Sequence, residues 1–372
     1  MSKLIDLCDI QYGYAFDSSR FTDDSAYPQL ARIRDVKRGY SETFYEGDYP
    51  EEYVLANGDL LIGMDGEFNI ARWKVDGALL NQRVCKVTAK EGTNEEYIRL
   101  FLSKCLKKIE ERTSFATVKH LSAKELNKIE IETPSIDEQA NIASSLCGLE
   151  KIIELRKQEL SDLDVLIKAR FVELFGDLRI NDKGWNIKSF DELSYLITDG
   201  EHATPRRTSE GIYLLSARNV LNHSLQLDDV DYIDDEEYDR IAKRIVPQEG
   251  DVLISCSGTV GRCCSVPANL KFQMVRSAAL IRFKEDINPV FAEYMITSDY
   301  LQEQINSSKT ASSQANLFQG KIRALKGFVP PIELQNDFLQ FVKQVDKSKV
   351  AVQKALDETQ LLFDSLMQQY FG

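Results

Sequence analysis

Two sets of basic and amide side chains recur at matching places along the chain. The first comprises Arg32, Arg34, Lys37 and Arg38, then Asn69 and Arg72, then Thr117, Lys119 and His120. The second comprises Arg206 and Arg207 after Gly200-Glu201-His202, then Arg218 and Asn219, then Arg262, then Gln314 and Asn316. These residue types suit reading a duplex. Arginine pairs bidentately with guanine O6 and N7, and Asn or Gln with adenine N6 and N7. Lysine and backbone amides grip phosphates without reporting sequence. Taken singly, each reads as ordinary surface charge; as sets in equivalent places they point to nucleic-acid contact. Arg34 and Arg218 also have a structural reading. Each follows a strand-like run, Tyr27-Pro28-Gln29-Leu30 or Ile212-Tyr213-Leu214-Leu215.

Catalytic chemistry is poorly supplied. There are three histidines, His120, His202 and His223, so general bases are scarce. No GxxxxGK[ST] phosphate loop occurs. The nearest text to the Asn/Asp-Pro-Pro-aromatic element of amino-methyltransferases is Val329-Pro330-Pro331-Ile332, which lacks both amide and aromatic ring. Carboxylate pairs such as Asp228-Asp229 sit in an acidic run without a nearby base; a metal nuclease built there is the enzymatic alternative. The seven cysteines contain no CxxC pair and read as reduced thiols. Cys256, Cys263 and Cys264 are a poor tetrahedral set, because two of them are adjacent. The expectation is therefore no catalytic residue, no metal and no cofactor. Met1-Ser2-Lys3-Leu4-Ile5-Asp6 opens no secretory signal, and no apolar run approaches ~18 residues. A cytoplasmic protein without a membrane segment is expected.

The formal charge of −13 argues against nucleic acid until it is located. Residues 226–240 carry −7, 41–53 carry −5, 137–176 carry −3 and 333–372 carry −2, which leaves +4 on the rest. The acidity is segregated, so DNA binding survives it. Asp228 to Asp239 reads as a solvated loop.

The elements that must position the two sets are themselves duplicated. Pro134-Ser135-Ile136-Asp137-Glu138-Gln139 recurs as Pro330-Pro331-Ile332-Glu333-Leu334-Gln335, an offset of 196. Phe175-Gly176 recurs at that offset as Phe371-Gly372. Gly58-Asp59-Leu60-Leu61-Ile62 matches Gly250-Asp251-Val252-Leu253-Ile254 at 192, and Ile33-Arg34-Asp35-Val36 matches Ala217-Arg218-Asn219-Val220 at 184. The changing offsets place insertions upstream and a fixed register downstream. Each copy is a globular segment followed by a tail with coiled-coil spacing. The first seam runs Leu146, Leu149, Ile153, Arg156, Leu160, Leu163, Ile167, Arg170, Leu174. The second runs Val342, Val345, Lys349, Val352, Leu356, Thr359, Phe363, Leu366, Tyr370. Polar seam residues could fix register or meet a partner. Ser135 with Glu138 predicts a capping box, and Gly176 predicts a helix stop. Leu334 replaces the second glutamate, which predicts a looser second start. Each tail spans ~60 Å as a helix. The plainer alternative is a pair of amphipathic helices in an ordinary core.

The globular segments mix strand-like runs (Asp59–Ile62, Ala278–Phe283) with helical ones (Glu95–Glu111, Pro289–Ser307) and contain no βαβ alternation. Each reads as α+β. The whole pattern resembles the specificity subunit of type I restriction–modification enzymes. Its carriers are the two Pro-x-Ile-x-x-Gln turns, the paired Gly-Asp-apolar runs with Gly66 and Gly258 eight residues on, and the second Phe-Gly. The resemblance implies two target recognition domains, residues 1–136 and 177–332, each reading half of a bipartite double-stranded DNA site. It implies that 137–176 and 333–372 are conserved helices, an antiparallel pair that separates the readers in a pseudo-twofold repeat. Two modification subunits that carry out adenine methylation, and restriction subunits, are the implied partners. The implied role is non-catalytic. No family residue is carried over as a base contact, so Arg32, Arg34, Lys37, Asn69, Arg72, Lys119, Arg206, Arg207, Arg218, Asn219, Arg262, Gln314 and Asn316 rest on residue chemistry. The competing reading is a coiled-coil scaffold or adaptor without sequence-specific DNA binding, whose assembly is insensitive to DNA and salt.

Overall fold

The paired Gly-Asp-apolar runs become the inner strands of two sheets with the same strand order. The computed structural model describes residues 1–112, 119–307 and 316–372. These fall into a first unit, Met1–Gln158 with Gln353–Gly372, and a second, Glu159–Val352. In the first unit the order is Cys8–Tyr12, Val84–Ala89, Leu60–Gly63, Ile70–Arg72, and all neighbours are antiparallel. In the second it is Ser194–Asp199, Ala278–Phe283, Val252–Ser255, Cys263–Ser265, again antiparallel. Leu60–Gly63 and Val252–Ser255 are buried at every position. Burial on both faces is why these strands read as continuous apolar runs instead of alternating ones.

A smaller sheet differs between the copies. Leu30–Ala31 runs parallel to Ala78–Leu80, and Ile212–Leu215 parallel to Phe272–Met274. The third strand joins Ala78–Leu80 in the first unit (Val54–Leu55) but joins Ile212–Leu215 in the second (Asp231–Ile233). This edge is where the offsets change, so insertions there cost little in the shared core. The helical run of the first unit spans Glu95–Arg112. Its counterpart breaks into Pro289–Thr297 and Asp299–Ser307, because Ser298 is extended (φ −67°, ψ 152°) and its hydroxyl donates to the Met295 carbonyl at 2.6 Å.

Ile136–Phe175 and Ile332–Phe371 are helices of 40 residues each. The central one opens on the expected box: Ser135 N–H donates to Glu138 Oε2 at 3.0 Å and Glu138 N–H to Ser135 Oγ at 3.4 Å. It stops at Gly176, whose φ of +79° favours glycine, and whose N–H donates to the Val172 carbonyl at 2.8 Å. The C-terminal helix starts without a box, yet Leu334 packs on the core and Gln335 is fully buried.

Within the first unit the helices run antiparallel, with Leu146 in one cluster with Phe363, Leu366, Met367 and Phe371. There Arg156 donates to the Ala355 carbonyl and the Thr359 hydroxyl. Within the second unit Lys349 meets Asp164 at 2.6 Å, and Phe171 packs on Phe338 with centroids 5.4 Å apart. The expected seam residues Leu146, Leu149, Ile153, Leu160, Leu163, Ile167, Leu174, Val342, Val345, Val352, Leu356, Phe363 and Leu366 are all buried or half-buried. Apolar residues off the seam, among them Leu155, Val165, Val172, Val350 and Leu361, are exposed. The duplicated Phe-Gly also has a physical role. Phe371 packs on Tyr97 at 5.2 Å and Phe175 on Phe291 at 4.7 Å, anchoring a helix end on each globular segment.

Candidate nucleic-acid interface

The Pro-x-Ile-x-x-Gln turns are clamps. Gln139 Nε2 donates to the Pro134 carbonyl (2.9 Å) while its Oε1 accepts from Asn94 N–H (2.9 Å). Gln335 repeats this on Pro330 (2.8 Å) and Asn288 N–H (2.8 Å), and adds the Asp286 carbonyl (2.9 Å). Asn94 and Asn288 in turn accept from Tyr97 and Val290 N–H at the start of the next helix. A buried amide satisfied on both sides thus fixes each long helix against its globular segment.

On the first unit, Arg32, Arg34, Lys37 and Arg38 surround the short helix Ile33–Val36. Arg32 and Arg38 are held inward by Asp35, which is fully buried and also accepts from Ser41 Oγ at 2.9 Å. Arg34 and Lys37 are exposed, and among the described residues neither has a side-chain partner. Asn69 lies half-buried on Glu67 at 3.4 Å. Arg72 is committed to the fold, donating to Glu96 (2.6 Å), Glu95 (2.8 Å) and the Gly58 carbonyl (2.6 Å). Lys119 pairs with Glu110 at 2.9 Å. His120 Nδ1 lies 2.5 Å from Asp65, which also binds Arg83. Burial pushes the Asp65 carboxyl up, but these two hydrogen bonds hold it below the usual carboxylate range.

The second unit departs from the sequence-based expectation in two ways. Residues 228–239 are not a solvated loop. They form strand Asp231–Ile233 and helix Asp235–Ala242, capped by Asp234 with three acids in its first turn, where the helix dipole favours them. This acidic run holds the candidate arginines. Arg206 meets Asp234 and Glu236, both at 2.8 Å, Arg207 meets Asp231 at 3.1 Å, and Arg218 meets Asp231 at 3.3 Å. Asn219 is also corrected. It is 1% exposed, donates to the Gln226 and Asp229 carbonyls (3.0 and 2.9 Å) and accepts from Ser216 N–H (2.9 Å), so it closes a loop and offers a base nothing. Arg262 donates to the Ala217 carbonyl at 3.0 Å. Asn316 is half-buried and bridges to Ser257. Thr117 and Gln314 lie outside the described residues.

Sequence reasoning missed Arg276, which lines a cleft with Asp199, His202, Ser257, Asn316 and Phe318. Burial raises the Asp199 carboxyl's pKa, but hydrogen bonds from Arg244 and His202 outweigh that and lower it. Arg276 belongs to no basic cluster, so local charge could not single it out; its place in the repeat could have.

The cysteines are free, and burial pushes the Cys256 and Cys264 thiols up to about 12. Among the described residues no group of three His, Cys, Asp or Glu could hold a metal, and no helix is long and apolar enough to cross a membrane.

Residues 1–164 and 183–359 each match the model of the type I restriction modification DNA specificity domain. The chain is 28% identical over 398 positions to the type I restriction enzyme EcoBI specificity subunit of Escherichia coli, covering 98% of this chain and 84% of that one. Its fold matches the type I restriction–modification S subunit from M. genitalium with a TM-score of 0.60 at 14% identity, over 100% and 95% of the two chains. It also matches a chain from a structure describing complex assembly and conformational transition of the type I R-M system, with a TM-score of 0.59 at 17% identity over 100% and 96%.

Proposed function

The chain belongs to the type I restriction–modification DNA specificity family, and on that premise we propose that it reads a bipartite duplex site and aims a partner's adenine methyltransferase at it. The family is the recognition component of the system and not its catalytic one. Residues 1–136 and 177–332 are the two readers in this proposal, and residues 137–176 and 333–372 set the unread spacer between the half-sites. The observation that carries the reading is the duplication itself: one sheet order and one glutamine clamp, each present twice. A pair of similar readers in one chain suits a split target better than a continuous one.

Two modification subunits, and restriction subunits with them, dock on the chain in this reading. The exposed apolar side chains of the long helices support this, since Leu155, Val165, Val350 and Leu361 are 58%, 60%, 71% and 73% exposed. Association buries such residues favourably. For the DNA, Arg34, Lys37 and Lys119 of the first reader and Arg206, Arg207 and Arg218 of the second meet phosphates, the latter three by exchanging carboxylate partners. Arg32, Asn69 and Asn316 belong to the same candidate surfaces, as does Gln314 by its residue type alone. Arg72, Asn219 and Arg262 serve the fold.

Mapping methylated adenines across the genome of a host that expresses this chain with its modification subunit tests the proposal. The expected outcome is a motif of two short halves around an unread spacer. A continuous motif, or no methylation, would refute it.

A further inference from the structure

Both units contain one backbone frame and fill it with unlike side chains. In the first unit a four-residue turn, Asn81–Val84, is closed by Val84 N–H donating to the Asn81 carbonyl at 3.2 Å; in the second, Ala278 N–H donates to Val275 at 3.0 Å. The second residue of each turn, Gln82 or Arg276, donates its backbone N–H to Tyr14 (2.7 Å) or Glu201 (3.0 Å). Behind it, Gly13 N–H donates to Val84 at 3.0 Å and Gly200 N–H to Ala278 at 3.1 Å. A Cβ on Gly13 would stand 2.0 Å from the Asn81 carbonyl oxygen, and one on Gly200 2.4 Å from that of Met274, so the close approach requires glycine twice. On the far side, Met64 N–H donates to Arg83 and Cys256 N–H to Ser277, both at 2.8 Å. Leu121 N–H donates to Met64 (2.7 Å) and Leu317 N–H to Cys256 (2.9 Å), beside the bridges Asp65–His120 and Ser257–Asn316.

Every backbone link is repeated, while the side chains presented are not. Gln82 stands where Arg276 stands, Asp65 where Ser257 stands, His120 where Asn316 stands, and Tyr14 where Glu201 stands. The central strands, Leu60-Leu61-Ile62 against Val252-Leu253-Ile254, and the clamps, Gln139 against Gln335, keep their chemistry. A frame held by main-chain bonds leaves its outward side chains free to vary, which is what a reader of changeable specificity needs. Gln82 and Arg276 are both exposed. Among the described residues of 177–332, Arg276 is the one arginine whose guanidinium has no hydrogen-bond or ion-pair partner, and the Gln82 amide has none either.

Resting on the half-site reading above, we propose that Gln82 and Arg276 determine specificity. Gln82 reads an adenine in one half-site and Arg276 reads a guanine in the other, each through its bidentate pairing in the major groove. Arg83 supports the first turn. It takes a φ of +69° without being glycine and is tied to Asp65.

The test is the same methylation map made with Gln82→Ala, Arg276→Ala and Arg276→Lys, each assembled with the modification subunit. Arg276→Ala is expected to relax one guanine position about 5- to 150-fold and leave the other half-site as it was. Gln82→Ala should relax one adenine position in the opposite half. Arg276→Lys should relax the guanine position less than the alanine variant, because an ammonium can still donate to guanine but without the fixed planar fork. Wild-type discrimination at every position in both alanine variants would overturn the assignment, as would changes in both halves. So would methylation weakened uniformly across sequences with no change of discrimination at any position, since that marks a phosphate contact. If the unmodified chain itself gives no bipartite motif, it is the half-site reading that fails. A bipartite motif indifferent to these variants sinks this assignment alone.

Discussion

At one position of the repeat the two units bury different polar groups and build different loops around them. Asp35 is wholly buried and accepts only, so donors converge on it: Arg32, Arg38 and the Ser41 hydroxyl. Asn219 stands at the same place, and its amide turns the pattern round by donating to two carbonyls. The first loop therefore keeps Arg32 and Arg38 folded toward a carboxylate and leaves Arg34 exposed. In the second, Arg218 swings to the acidic strand Asp231–Ile233, which joins that side of the small sheet. A single change of a buried atom from oxygen to nitrogen is enough to decide which neighbours are admissible. Of the equivalent arginines Arg34 and Arg218, the second then has a carboxylate partner that the first lacks among the described residues.

Exchanging the two buried groups should have the largest effect on stability. Asn219→Asp keeps the Ser216 donors on one oxygen but turns the other against the Gln226 and Asp229 carbonyls, so it should cost about 3 kcal/mol or more, since that side of a buried charge has no donor. Asp35→Asn retains an acceptor for Ser41 and one arginine and should cost about 1–2 kcal/mol. Urea unfolding followed by hydrogen exchange in each loop measures both. Equal losses would show that the two sites are not chemically distinct.

The two clamps differ by a smaller amount. Gln335 makes three hydrogen bonds and Gln139 two. Gln335→Ala should therefore destabilise by about 2–3 kcal/mol and Gln139→Ala by about 1–2 kcal/mol. Thermal unfolding of the two variants under one buffer decides the order, and a reversed order would sink the argument from bond count.

The smallest effect lies at the surface. Asp231→Asn removes the ion-pair partner of Arg207 and leaves Arg218 only Asp229 at 3.6 Å, so stability should move by less than about 1 kcal/mol. Non-specific DNA affinity of the assembled complex should rise severalfold at low salt, with a steeper salt dependence. Fluorescence anisotropy across a salt series reads this. Unchanged affinity would mean that these arginines do not face the duplex.

The repeat, the long helices and their seam were legible in the sequence because helical and strand periodicities are local. A register fixed at 196 residues also survives insertions made elsewhere. The capping box at Ser135 and the stop at Gly176 were legible for the same reason. Which polar residues would turn inward was not. Asn219 and Arg72 look like base readers by type, and only the fold supplies the carbonyls and glutamates that claim their donors. The acidic run read as a loop because its charge hid a strand and a capped helix that need arginines from other segments to pay for their proximity. Gln82 and Arg276 were invisible to local pattern, since a four-residue turn becomes a presenting frame through hydrogen bonds to segments far away in the chain. The elements and their duplication follow from local periodicity and a fixed register along the chain. Tertiary structure decided which side chains remain available, because availability depends on partners brought near only by folding.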